Sequence, residues 1–182
     1  MPARKVVVDN LLWQFDLVWT LAELHFVNLV EDDCLWQPSP ISWTVRRDAA
    51  GLWRPDFAEV EPDPVPTPTI GWLMWHIDWW WSSAVNQLRG RPPPAREHIT
   101  WPGQGNAAIT HLRQLSDNWR TLVAQLDDDD LHRPSSFPWH PDTGHTVTHT
   151  AMWVNVELTK NITEIGQLRL TRAAITAAGA GT

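Results

Sequence analysis

The chain reads as an all-α protein, a four-helix bundle with a long first crossover connection. Three observations predict this. Apolar residues recur at helical spacing in four long segments, and clusters of proline separate those segments. The balance of 43% apolar to 19% charged residues suits a packed core rather than a disordered chain. Residues 1–182 are expected to form a single domain, because no internal repeat occurs and the connections mark no second unit.

The first segment runs from Asp9 to about Asp33, with Leu11, Phe15, Val18, Ala22 and Leu29 at helical spacing. Leu17, Leu21 and Leu24 widen that stripe, and one long helix is predicted over 9–33. After Pro38 and Pro40, the stretches Ile41–Val45 and Leu52–Phe57 read as a small β-hairpin or only an ordered loop. Glu61 to Pro68 carries four prolines and cannot be helical. Thr67 or Thr69 then offers an N-cap for a second helix to about Arg89, where Gly90 and three prolines end it. A third helix spans Ala107 to about Leu126, with Ile109, Leu112, Leu115, Trp119 and Leu122 as its apolar face. The aspartates Asp127–Asp130 read as a solvated break, since four adjacent side chains do not converge on one point. The last helix starts near Thr146 or Thr148 and places Val147, Ala151, Val154, Leu158, Ile162 and Ile165 on one face. Residues 173–182, rich in Ala and Gly, are expected to fray.

Charge and cysteine content exclude several functions. A net charge of −7 with no basic cluster argues against a nucleic-acid partner, whose affinity rests on neutralising phosphates. No run of about 18 uncharged apolar residues exists to span a membrane, and Met1 to Val8 lacks the apolar core of a signal peptide. A cytoplasmic protein is therefore expected. The single cysteine, Cys34, rules out an intrachain disulfide and a cysteine-based zinc site, and Asp32 and Asp33 beside it should keep the thiol protonated. Neither a phosphate-binding glycine loop nor a serine nucleophile elbow is present.

Candidate chemistry lies on the second and last helices. His76 stands one turn from Trp72 and Trp80, and reads either as a core histidine or as a ligand of a metal site built between helices. On the last helix Glu157 and Asn161, then Lys160 and Glu164, form i, i+4 pairs. His145 and His149 share that spacing, but lie roughly 20 Å along the axis from Glu164, so a capping or surface role is expected for them. His25 on the first helix reads as a satisfied core residue. The 14 tryptophans, beside no tyrosine, supply more flat apolar surface than one buried stripe needs. Some are expected to line a cleft for a small-molecule ligand, and Trp79 or Trp81 to reach a subunit interface.

The segment Trp75-His76-Ile77-Asp78-Trp79, the loop Trp101-Pro102-Gly103 and the ending Ile165-Gly166-Gln167-Leu168-Arg169-Leu170 resemble the DinB-like superfamily. That superfamily includes the DinB/YfiT group and the mycothiol-dependent isomerases and transferases. The resemblance covers most of the chain in helix order, and the Ile-Gly-Gln-Leu-Arg ending is its most specific piece. It implies a four-helix bundle, often a homodimer, with a divalent metal (Zn, Ni or Mn) held by three histidines. One lies on the second helix, and two lie at i, i+4 before the Gly-Gln pair. His76 matches the first of these, while Lys160 and Glu164 fall on the other two. Glu164 can supply oxygen to a metal, whereas a protonated Lys160 repels one. The resemblance thus implies an altered, even vacant, metal site at His76 and Glu164. Two functions follow. One is a metal-dependent enzyme acting with a low-molecular-weight thiol or as a hydrolase; the other is a non-catalytic bundle that binds a small ligand or dimerises.

Overall fold

The computed structural model describes residues 6–180; Met1–Lys5, within the segment read for a signal peptide, and Gly181 and Thr182 of the tail lie outside the described residues. Four long helices form the body: α1 (Val6–Phe26), α3 (Ile70–Leu88), α4 (Gly105–Gln125) and α6 (Val147–Gly179). Two short helices, α2 (Glu31–Cys34) and α5 (Asp128–His132), sit in the connections. Helix α1 packs on α6 and α4, and α3 packs on the same two, so α1 and α3 stand diagonally. They meet in the centre, where the ring of Trp81 lies 5.8 Å from both Phe15 and Trp19.

Helix α3 organises this arrangement. Fourteen of its residues are buried, on all sides, so it must be enclosed rather than laid on a surface. Thr69 caps its start by accepting a hydrogen bond from the Trp72 backbone N–H. The connection from α1 covers the side that α4 and α6 leave open. It contains β1 (Ser42–Trp43), β2 (Val45–Arg47), β3 (Trp53–Pro55) and β4 (Thr67–Pro68). The antiparallel β2–β3 pair, with Arg46 opposite Arg54, is the small hairpin anticipated for this region. Strands β1 and β4 add a parallel pair, Ser42 opposite Thr67, that the sequence does not foretell. Indole N–H groups of α3 bind the connections on both sides of it to the bundle: Trp72 donates to the Asp56 carbonyl of the α1–α3 connection at 2.8 Å, and Trp75 to that of Ile99 in the α3–α4 connection at 3.0 Å.

The first predicted helix is divided. It ends at Phe26 instead of reaching Asp33, and the chain turns before α2. Local hydrogen bonding explains the break: the Asn28 amide donates to the Leu24 carbonyl, and the Asp33 carboxylate accepts from the Val30 N–H that would otherwise continue a helix. Helix α2 then serves α4, whose Gln104 offers no side-chain cap; Glu31 accepts the Gly105 N–H with both oxygens, at 3.1 and 2.8 Å. The aspartate run is not merely a break. Asp127 and Asp130 close a capping box that starts α5, where negative charge suits the helix N-terminus. The alanine-rich end of α6 stays helical to Gly179, in keeping with the high helix propensity of alanine.

Gly166 shows why the Ile-Gly-Gln ending needs its glycine. A Cβ there would come within 2.4 Å of the His25 ring, so α1 and α6 approach over a side chain that leaves no room. His25 is not satisfied as expected: its Nδ1 is buried without a hydrogen-bond partner. Burial, then the charge of Arg169, holds its imidazole below the ordinary value. Gly166→Ala should therefore cost about 1–3 kcal/mol in chemical denaturation. The loss should shrink when measured in a His25→Ala background. An equal loss in both backgrounds would show that the ring does not confine the glycine.

Candidate functional site

His76 projects from α3 toward α6 inside an aromatic enclosure. Trp72 stacks on its ring at 5.0 Å and 14°, and Trp43 stacks on the far side of Trp72 at 5.1 Å. Trp79 and Trp75 stand tilted to the imidazole at 6.1 and 6.4 Å, and Phe57 meets Trp79 edge-on. Three tryptophans in a row on α3 do not leave surplus surface outside. Trp81 is fully buried within its own chain and Trp80 nearly so, which removes Trp81 from any subunit contact; Trp79 is half-buried. Trp80 directs its N–H to the Asn161 carbonyl oxygen at 3.0 Å.

The carboxylate that reaches His76 is Glu157. Its Oε1 lies 3.6 Å from His76 Nε2, too far for a proper hydrogen bond, and 2.5 Å from Lys160 Nζ, which donates to it. Glu164, the carboxylate matched to the family pattern, instead accepts from the Asn161 amide at 3.0 Å. The reason is axial level rather than helix phase. Seven residues separate Glu157 from Glu164, so they share a side within about 20° but stand about 10 Å apart along the axis. A single imidazole from α3 meets only one of them. Lys160 likewise turns back one turn to Glu157 instead of forward to Glu164.

The electrostatics centre on Glu157, whose side chain is only 14% exposed. Burial pushes its carboxyl upward, but His76 and the adjacent Lys160 outweigh burial and hold it below the ordinary value. The donor set around His76 is thus one imidazole nitrogen and one carboxylate whose charge an ammonium already meets. His76 Nδ1 is buried without a partner, whereas a metal-bound histidine ordinarily donates its second N–H to a fixed acceptor. Among the described residues no group of three or more His, Cys, Asp or Glu is placed to hold a metal. These residues do not fit the three-histidine cation site that the family resemblance implies.

The remaining candidates fall elsewhere. His149 Nδ1 accepts the Thr146 N–H at 3.1 Å and so caps α6, while His145 stacks on Trp139 at 4.0 Å. The Cys34 thiol is pushed up to about 12, first by burial and then by Glu31 and Asp33, which leaves it protonated and unreactive.

A bundle of four long helices, with a histidine of the second facing a carboxylate of the last, defines the class of protein. The model of the DinB superfamily matches residues 14–165, and the chain belongs to that superfamily. No curated protein and no solved structure matches it. No helix among the described residues is long and apolar enough to cross a membrane.

One titratable pair escapes sequence reasoning. His111 of α4 places Nε2 2.9 Å from Asp78 Oδ1 of α3, and Ser82 donates to the same oxygen. The partners are 33 residues apart, and the only signal is an acid among the tryptophans of a mostly apolar helix. Asp78 raises the His111 value, chiefly through the hydrogen bond. A raised histidine stabilises the fold fully below its unfolded value of 6.5 and loses that contribution as pH climbs through the folded value. The midpoint of thermal unfolding should thus fall from pH 6 to pH 9 more steeply in the natural protein than in His111→Gln. Parallel curves would contradict the pairing.

Proposed function

We propose that this chain is a non-catalytic, metal-independent member of the DinB superfamily. In it an internal ion network, His76–Glu157–Lys160, stands in for the family's cation, and the aromatic enclosure around His76 receives a small apolar ligand. One observation carries the reading: a single oxygen of Glu157 lies 2.5 Å from Lys160 Nζ and 3.6 Å from His76 Nε2. A mostly buried carboxylate requires compensating positive charge. Lys160 supplies it from one turn away, without an ion. Half-buried Trp79 and exposed Phe57, set edge-on to each other beside His76, supply the apolar aromatic surface for such a ligand.

A second reading rests on the exposure of Lys160, whose side chain is 53% accessible. Its four-carbon stem lets the ammonium swing into water. That would free Glu157 and His76 for a zinc, nickel or manganese ion, leaving two protein donors where the family has three. The thiol- or water-dependent activity of family enzymes belongs with this alternative.

Calorimetric titration of Zn²⁺ into the natural protein and into Lys160→His separates the two. The substitution creates Glu157 and a histidine at i, i+3, the pattern with which bundles build carboxylate–histidine metal sites, opposite His76. The natural protein should bind zinc weakly, and the variant at least about tenfold more tightly, as expected for a restored ligand. Equally tight binding by both would mean that Lys160 never holds the site.

A further inference from the structure

Where α6 passes α2 it carries two arginines, one turn apart, that are met in different ways. Arg172 donates to the Asp33 carboxylate of α2 and stands 3.6 Å from that of Asp32. Arg169 is half-buried, and among the described residues no carboxylate pairs with it. Its Nε is sealed from solvent without a hydrogen-bond partner. Other sheltered arginines are treated otherwise: Arg54, Arg96 and Arg172, with side chains 35, 25 and 22% exposed, each hold a carboxylate within 3.2 Å. A chain of net charge −7 has acids to spare, yet none is set against this guanidinium among the described residues.

Both arginines line one depression of about 510 Å³, with Val30, Ala173 and Ala177 as its apolar wall. Its one acid, Asp33, is already engaged: one oxygen takes Arg172 and the other accepts the Val30 N–H. Asn28 and Thr176 also line it, and each donates to a carbonyl of its own helix or turn, Leu24 and Arg172. The charges facing the depression thus leave one positive charge unmatched, that of Arg169. The neighbouring His25 imidazole adds no second cation, since burial and then Arg169 hold it below its ordinary value. The depression is separate from the His76 network: Arg169 lies twelve residues beyond Glu157, about 18 Å along the axis of α6.

We propose that this depression between α2 and α6 binds a small organic monocarboxylate, held by the guanidinium of Arg169. The two terminal nitrogens of Arg169 stay accessible while its Nε is enclosed, so the outer edge of the guanidinium is presented to the depression. That edge offers two parallel N–H donors at the spacing of carboxylate oxygens, the geometry of a bidentate pair. Enclosure of Nε also fixes the plane of the group in advance, which lowers the ordering cost of binding. Charge selects the class of anion. A single carboxylate balances the one unmatched positive charge, whereas a phosphate brings more negative charge beside Asp33 and Asp32 than Arg169 can meet. The wall of Val30, Ala173 and Ala177 suits a short hydrocarbon body behind the carboxylate.

Ligand-observed NMR titration of the full chain tests this with three probes: butyrate, its neutral analogue butyramide, and inorganic phosphate. Two variants accompany the natural protein. Arg169→Gln removes the charge, and Ala173→Leu fills the depression from an exposed position of α6 while leaving the guanidinium in place. Circular dichroism verifies that both stay helical; should Arg169→Gln unfold, Ala173→Leu decides alone. The natural protein should bind butyrate at least about tenfold more tightly than butyramide or phosphate, the scale of a hydrogen bond to a charged group. Each variant should weaken butyrate by a similar factor. A natural protein that does not bind butyrate overturns the proposal, and so does butyrate binding that both folded variants leave unchanged. Phosphate bound as tightly as butyrate overturns the assignment to a carboxylate.

Discussion

The architecture depends on enclosing a helix that is apolar on every side. Helix α3 carries five tryptophans and buries fourteen of its residues, so neighbours must surround it completely. Each buried indole brings a large apolar surface together with an N–H that needs an acceptor. Three of those groups find one: Trp72 at Asp56, Trp75 at Ile99 and Trp80 at Asn161. The first two acceptors belong to the irregular connections, which are thereby held as the walls that close the core. Trp81 finds none, and its N–H remains buried without a partner. That deficit is the cost of placing Trp81 at the centre, where it joins α1 to α3.

Enclosing α3 also draws polar groups into the protein and dictates how they are met. Asp78 is neutralised from α4 by His111, and His76 turns to α6, where it meets Glu157. Glu157 then takes its close counter-charge from its own helix, through Lys160 one turn on. A carboxylate held down by two nitrogen groups needs no cation, and an ammonium at that point opposes one. The proposed loss of metal dependence is thus a local electrostatic consequence of Lys160, within a fold that is otherwise that of the DinB superfamily.

Much of this was legible in the sequence. The four long helices follow from periodicity because each presents one stripe to a shared core, and the proline clusters delimit them. The protonated thiol of Cys34 was legible only in part: burial, which the sequence does not show, is the larger cause, and the acids beside it come second. Other features rest on contacts that periodicity does not encode. The end of α1 at Phe26 depends on side chains of Asn28 and Asp33 that compete for backbone groups. That Leu17 and Leu21 face outward is settled by the other helices, not by the spacing of α1 itself. The site was half legible: His76 and Lys160 stand in one network, but the carboxylate they share is Glu157. Choosing between Glu157 and Glu164 requires the axial level at which α3 crosses α6, and no single helix contains that information.

The central claim is that Glu157 is neutralised within the chain. Elemental analysis of the full-length protein, purified without added metal and without chelator, tests it most directly. The account predicts zinc, nickel and manganese far below one atom per chain. A stoichiometric divalent metal that is lost on replacing His76 with alanine would contradict it.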